Sequence, residues 1–164
     1  FAIQVRSAIP GSPLFLGSLD VKNGIIDSEI KGNGPSGTVA AGWPKRSEID
    51  AGTVNLTGIL PPTASALSAN SSIGSINIRR AFSATPGEEA ISGSNVLARS
   101  IGKVTINGAI EVDHGGILFG FGAQTFTGLI KLRNPAGQTI TPQVGPGPGD
   151  AHPFAGDFVF RVFV

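Results

Sequence analysis

Phe154-Ala-Gly-Asp-Phe-Val-Phe-Arg-Val-Phe-Val164 closes the chain and reads as one β-strand. Phe158, Phe160, Val162 and Val164 alternate onto one face, and Val159, Arg161 and Phe163 line the other. A strand that is apolar on nearly both faces needs cover on both. The chain opens in the same way, with Phe1, Ile3 and Val5 sharing a face of Phe1-Ala-Ile-Gln-Val-Arg6. Strands at both termini must be paired or leave open edges. Working inward from these ends, the expectation is an all-β subunit whose edges are completed by itself or by a neighbour.

Composition narrows the classes. A chain of 164 residues is long enough for one domain with a substantial core. Charged residues make up only 14 %, against a usual quarter, and hydrophobic residues 40 %. The 24 glycines and 12 prolines punctuate regular β-branched runs, which is not the pattern of a disordered chain. Net charge is +1 and the basic residues are scattered, so a nucleic-acid partner is not expected. No apolar stretch approaches the roughly 20 residues of a membrane span. Cysteine is absent, which excludes disulfides and thiolate metal sites. Methionine is absent too, and a chain beginning at Phe1 suggests removal of an N-terminal signal segment and an extracellular or cell-surface location.

Strand signals recur between Gly, Pro, Asn and Ser clusters. Asn23-Gly24 predicts a hairpin joining Leu14 to Lys22 with Ile25 to Lys31, placing Asp20 opposite Asp27. Asn107-Gly108 fails the same test, because a turn there mixes the faces. Lys103 to Asp113 therefore reads as one long strand with Gly108 at a bulge or close backbone approach. Further strands are expected over 37–41, 52–60, 72–82, 96–100, 116–123, 125–133 and 138–144. Asn134-Pro-Ala-Gly137 reads as a turn, and 142–153 as a proline-rich loop that cannot join a central ladder. A short helical turn is expected near 86–90. No repeat recurs at a fixed period. The sum is an all-β chain with little or no helix. It forms a single β-sandwich over 1–164, Ig-like or jelly-roll-like, of roughly 8–11 mainly antiparallel strands. Residues 1–9 stand as a donor or edge strand.

Candidate sites are few. Gly32-Asn-Gly34-Pro-Ser-Gly37 matches the dinucleotide fingerprint, but no helical period follows it, so it reads as a loop and no cofactor is expected. The two histidines, His114 and His152, sit in loops, and no nucleophile elbow accompanies them. No catalytic residue is assigned. Asp20, Asp27 and Glu29 fall on one face of the expected hairpin. They suit either an oxygen-ligand cation site or a solvated face relieved by a neighbouring Lys or Arg. Trp43 reads as a core residue in preference to a sugar platform. Asn55-Leu-Thr57 and Asn70-Ser-Ser72 satisfy the N-glycosylation pattern.

The ending Pro153-Phe-Ala-Gly-Asp-Phe-Val-Phe-Arg-Val-Phe-Val164 resembles the C-terminus of bacterial fimbrial and pilin-like β-sandwich subunits. There, a proline-glycine turn and a polar residue lead into an alternating terminal strand. The resemblance covers this segment alone, and the chain lacks a cysteine pair found in many members. It implies a secreted subunit that polymerises by donor-strand addition. Phe1, Ile3 and Val5 would fill pockets in a neighbouring copy, and Phe158, Phe160 and Val162 would belong to the receiving strand. The functional expectation is a non-enzymatic structural subunit of an extracellular filament, partnered by copies of itself. A viral or phage capsid, decoration or tail protein is the alternative. A carbohydrate-binding or adhesive domain that meets a surface glycan is another.

Overall fold

The structure, a computed structural model, describes residues 2–4, 16–27, 29–31, 36–51, 60, 63, 65, 67, 70–80, 85 and 88–164. In chain order the strands begin with β1 (Ala2–Gln4), β2 (Leu16–Ile26), β3 (Glu29–Lys31), β4 (Ser36–Lys45) and β5 (Glu48–Asp50). Next come β6 (Ser72–Ile78), β7 (Asn95–Leu97), β8 (Ser100–Ile106), β9 (Phe119–Ala123) and β10 (Thr125–Phe126). The last are β11 (Ile130–Arg133), β12 (Thr139–Ile140), β13 (Gly149–Ala151) and β14 (Phe158–Val162). The all-β expectation holds.

The chain alternates between two sheets as it advances. One sheet runs β1-β3-β5-β7-β9-β14-β13, and the other β12-β11-β8-β6-β4-β2 with β10 beside β8. Pairing is parallel throughout both sheets, except where β12 meets β11 and β13 meets β14. The expected antiparallel sandwich therefore gives way to a parallel coil, in which each turn adds one strand to each sheet. The predicted hairpin is the instructive correction. β2 runs straight through Asn23-Gly24 and pairs with β4, with a register shift between Val21 and Gly24. β3 lies in the other sheet, so Asp20 and Asp27 are not opposite each other. A tight turn would satisfy two strands only. Stacking Leu19 on Val39, and Val39 on Ile76, extends one apolar row through successive coils.

Each row is held in register. Ile30, Ile49, Val96, Phe121 and Phe160 follow one another through the first sheet. Val39, Ile76, Val104 and Ile130 do so through the second. All of these belong to one buried cluster between the sheets. Phe121 and Phe160 stack with ring centroids 5.2 Å apart, and Phe158 meets Phe119, Phe121 and Phe160 edge-on. The reading of β14 as apolar on both faces is correct: Phe158 and Phe160 enter this core. Val159 and Phe163 join Leu97, Leu60 and Leu67 in a second cluster on the opposite face. Leu60 and Leu67 thus supply part of the outer cover that the strand requires.

The second sheet carries a row of glycines. The pairs flanking Gly17, Gly37, Gly74 and Gly102 put these four in one row across β2, β4, β6 and β8. Lys103 to Asp113 is not one strand. β8 ends at Ile106, and the chain turns at Asn107-Gly108. The expected close approach at Gly108 is present, since a Cβ there would overlap Ala90 and stand 3.0 Å from the Arg80 carbonyl oxygen. The Asn134–Gly137 turn closes with a 2.8 Å bond from Gly137 N to Asn134 O. The expected strand over 52–60 lies outside the described residues except for Leu60; of the helical turn expected near 86–90, residues 88–90 are described and are not helical. Among the described residues no helix is long and apolar enough to cross a membrane.

Candidate functional site

A set of polar side chains lies along one corner, where each coil passes between the sheets. Three successive corners place a residue in left-handed backbone: Asp27 (φ 46°), Arg46 (φ 43°) and Gly93 (φ 47°). This conformation is costly for a residue with a Cβ, so side-chain bonds at these positions must offset it. Arg46 does so by donating from Nε and Nη2 to the two Asp27 carboxylate oxygens, at 2.7 and 2.8 Å. The Arg46 guanidinium holds the Asp27 carboxyl below its ordinary value, chiefly through this hydrogen bond.

A serine follows each left-handed residue: Ser28, Ser47 and Ser94. Ser47 Oγ donates to the Ile25 and Lys45 carbonyls at 2.9 and 2.8 Å. Ser94 Oγ donates to Ser92 O at 2.8 Å and accepts Ser47 N at 3.1 Å. These bonds tie one corner to the next and satisfy buried main-chain groups that would otherwise cost stability.

Further along the same seam, Glu111 Oε2 accepts Gly93 N at 2.9 Å and lies 3.2 Å from His114 Nδ1. Asp157 Oδ2 accepts the backbone N–H groups of His114 and Gly116, at 2.6 and 2.9 Å. The His114 ring packs edge-on to Phe119 and fills the space a Cβ on Gly93 would need. Chemically this is a clasp that fastens the 107–118 loop to the stacked corners. A serine nucleophile needs a histidine base within hydrogen-bond reach. Here Ser47 and Ser94 are engaged with main-chain groups and His114 with Glu111.

The three acidic candidates separate. Asp20 is bridged by the Arg79 guanidinium, Asp27 by Arg46, and Glu29 sits on β3 in the other sheet. Among the described residues no cluster of His, Asp or Glu is arranged to hold a metal ion. Neighbouring arginines relieve Asp20 and Asp27, which was the solvated-face alternative. Gly37 of the fingerprint opens no helix; it belongs to β4. The backbone of Trp43 lies in β4 opposite Gly24. His152 is exposed.

The expected assembly residues also divide. Ile3 lies on β1, paired with Ile30 of its own chain. Phe158, Phe160 and Val162 lie on β14, which has β9 on one edge and β13 on the other, and all three are buried. Phe1 and Val5 lie outside the described residues, as does Asn55. Asn70 is exposed in a turn just before β6.

The corner seam escaped sequence reasoning because its members come from five separate segments. A signal was present in the pairing of an αL-tolerant position with serine, at Asp27-Ser28, Arg46-Ser47 and Gly93-Ser94. Each pair is followed by Glu-Ile, Glu-Ile or Asn-Val. No protein-family model, curated protein or solved structure matches this chain.

Proposed function

We propose that this chain is a structural subunit of an extracellular filament or surface assembly, joined to its neighbours through terminal β-strands. The observation that carries this reading is the placement of β1. It stands at the end of its sheet, parallel and in register with β3, in the relation that each coil bears to the next. An edge of this kind takes an added strand through main-chain hydrogen bonds, with alternate side chains supplying specificity. The opposite end is less suited. β12 and β13 are short and antiparallel, and they flank the proline-rich crossover, all features that blunt an edge. Strand addition at β14 would require displacing β13.

The non-enzymatic part of the reading rests on the corner seam, whose polar groups bind one another and the backbone. An adhesive role for the same subunit is favoured by the second sheet, whose outward positions on β6 and β8 carry Ser75, Lys103 and Thr105.

Negative-stain electron microscopy of the full chain beside a chain lacking residues 1–9 tests the proposal. Filaments from the first and dispersed particles from the second support strand-mediated assembly at the N-terminal end. Monodisperse particles from both overturn it, and closed shells favour the viral alternative.

A further inference from the structure

We infer that the outer face of β6, β8 and β11 binds an anionic polysaccharide, a linear glycan carrying uronate or sulfate groups. The inference goes beyond the assembly role and uses a different surface. On these strands Ile76 and Ile78, Val104 and Ile106, and Ile130 and Leu132 point into the core. The alternating positions therefore face outward. Register aligns Ser75 with Lys103, and Asn77 with Thr105 and Lys131. Leu129 precedes Ile130 and falls beside Lys103.

Charge is what selects the occupant. β6, β8 and β11 carry no acidic residue. Asp20, on β2 of the same sheet, is bridged by Arg79. Lys103 and Lys131 are exposed, and among the described residues neither is ion-paired to a carboxylate. Their positions are diagonal neighbours on adjacent strands, about 8 Å apart from strand spacing and rise. Two ammonium groups at that separation suit successive negative charges on an extended polymer. Thr105 adds a hydroxyl, and the Ser75 hydroxyl, hydrogen-bonded to Thr38 Oγ1 at 3.0 Å, keeps further lone-pair capacity for a sugar hydroxyl. Leu129 is 50 % exposed and offers an apolar spot to the C–H face of a sugar ring. Nucleic acid is the competing polyanion. Single strands are held largely by stacking bases on aromatic side chains, and β6, β8 and β11 have none.

The test uses the full chain, with polygalacturonate as the probe, dextran as the neutral control and single-stranded DNA as the rival polyanion. Affinity electrophoresis or calorimetry reads the binding. The expected result is salt-sensitive binding of polygalacturonate, none of dextran and weaker binding of DNA. A Lys103→Glu/Lys131→Glu double variant should bind at least about tenfold less tightly. Its circular dichroism should match the parent, and the milder Lys103→Gln and Lys131→Gln variants should each fall between. Absence of polygalacturonate binding, or equal binding by the folded double variant, overturns the inference. DNA bound as tightly as polygalacturonate overturns it in favour of a general polyanion surface.

Discussion

Gly102 lies beside Gly74 on the neighbouring strand, and a Cβ on Gly102 would collide with the Gly74 carbonyl oxygen. The same relation recurs one coil earlier, where a Cβ on Gly74 would stand 2.8 Å from Gly37 O. Successive coils approach so closely at Gly74 and Gly102 that neither position admits a side chain without a main-chain shift. Gly102→Ala should therefore force a main-chain shift and cost about 1–3 kcal/mol. Gly145→Ala, where a Cβ meets open space, should change stability by less than about 0.5 kcal/mol. Urea melts of the two variants beside the parent check the contrast.

Asn77 presents the opposite situation. Its Oδ1 is buried between the register positions of Ala40 and Thr105, and among the described residues it has no hydrogen-bond partner. An unsatisfied buried acceptor is costly, and a β-branched residue suits a strand. Asn77→Val should be neutral or stabilise the fold by about 1 kcal/mol, read as a raised midpoint in the same melts. A clear loss of stability would show that the amide makes an interaction the geometry does not reveal.

Arg161 fastens three segments. It donates from Nε and Nη2 to Asp150 at 2.7 and 2.8 Å, and from Nη1 to Leu60 O at 3.1 Å. Its hydrogen bond holds the Asp150 carboxyl below the ordinary value. A carboxyl depressed on folding contributes stability that is complete above its unfolded value. That contribution is lost as pH falls through the lower folded value. Asp150→Asn should therefore be less stable than the parent near neutral pH. The gap should shrink as pH falls below about 3.9. Denaturant midpoints measured across that range check the sign; a gap that widens on acidification would contradict it.

Phe121 is fully buried and stacked on Phe160. Phe121→Ala leaves a cavity between the sheets and should cost about 3–5 kcal/mol. A thermal melt shows this as a large fall in midpoint, with the parent β-sheet spectrum retained below the transition.

Much of the fold is legible along the chain once the coil is known. Leu16-Gly-Ser-Leu-Asp-Val21, Ile73-Gly-Ser-Ile-Asn-Ile78 and Ile101-Gly-Lys-Val-Thr-Ile106 are versions of one motif. Gly37-Thr-Val-Ala-Ala41 and Gly128-Leu-Ile-Lys-Leu132 complete the set. Their glycines fall at 17, 37, 74, 102 and 128, so no fixed period exists to be found. The insertions between strands vary in length because a coil constrains only the strands that stack. Loops at the surface can lengthen at little cost. For the same reason Asn23-Gly24 misled: a strong local turn signal yielded to the apolar stacking of β2 on β4.

Alternation alone indicated that the described residues are almost wholly strand and loop, that β14 is covered on both faces, and that Phe158 and Phe160 enter the core. These follow from the two-residue period of a strand and the cost of exposing apolar surface. Parallel pairing, the glycine row and the seam of Asp27, Arg46, Glu111, His114 and Asp157 were decided only by the tertiary structure. Which strand lies beside which depends on contacts between residues far apart in the chain. A local pattern specifies the face a side chain takes, not the neighbour it meets there.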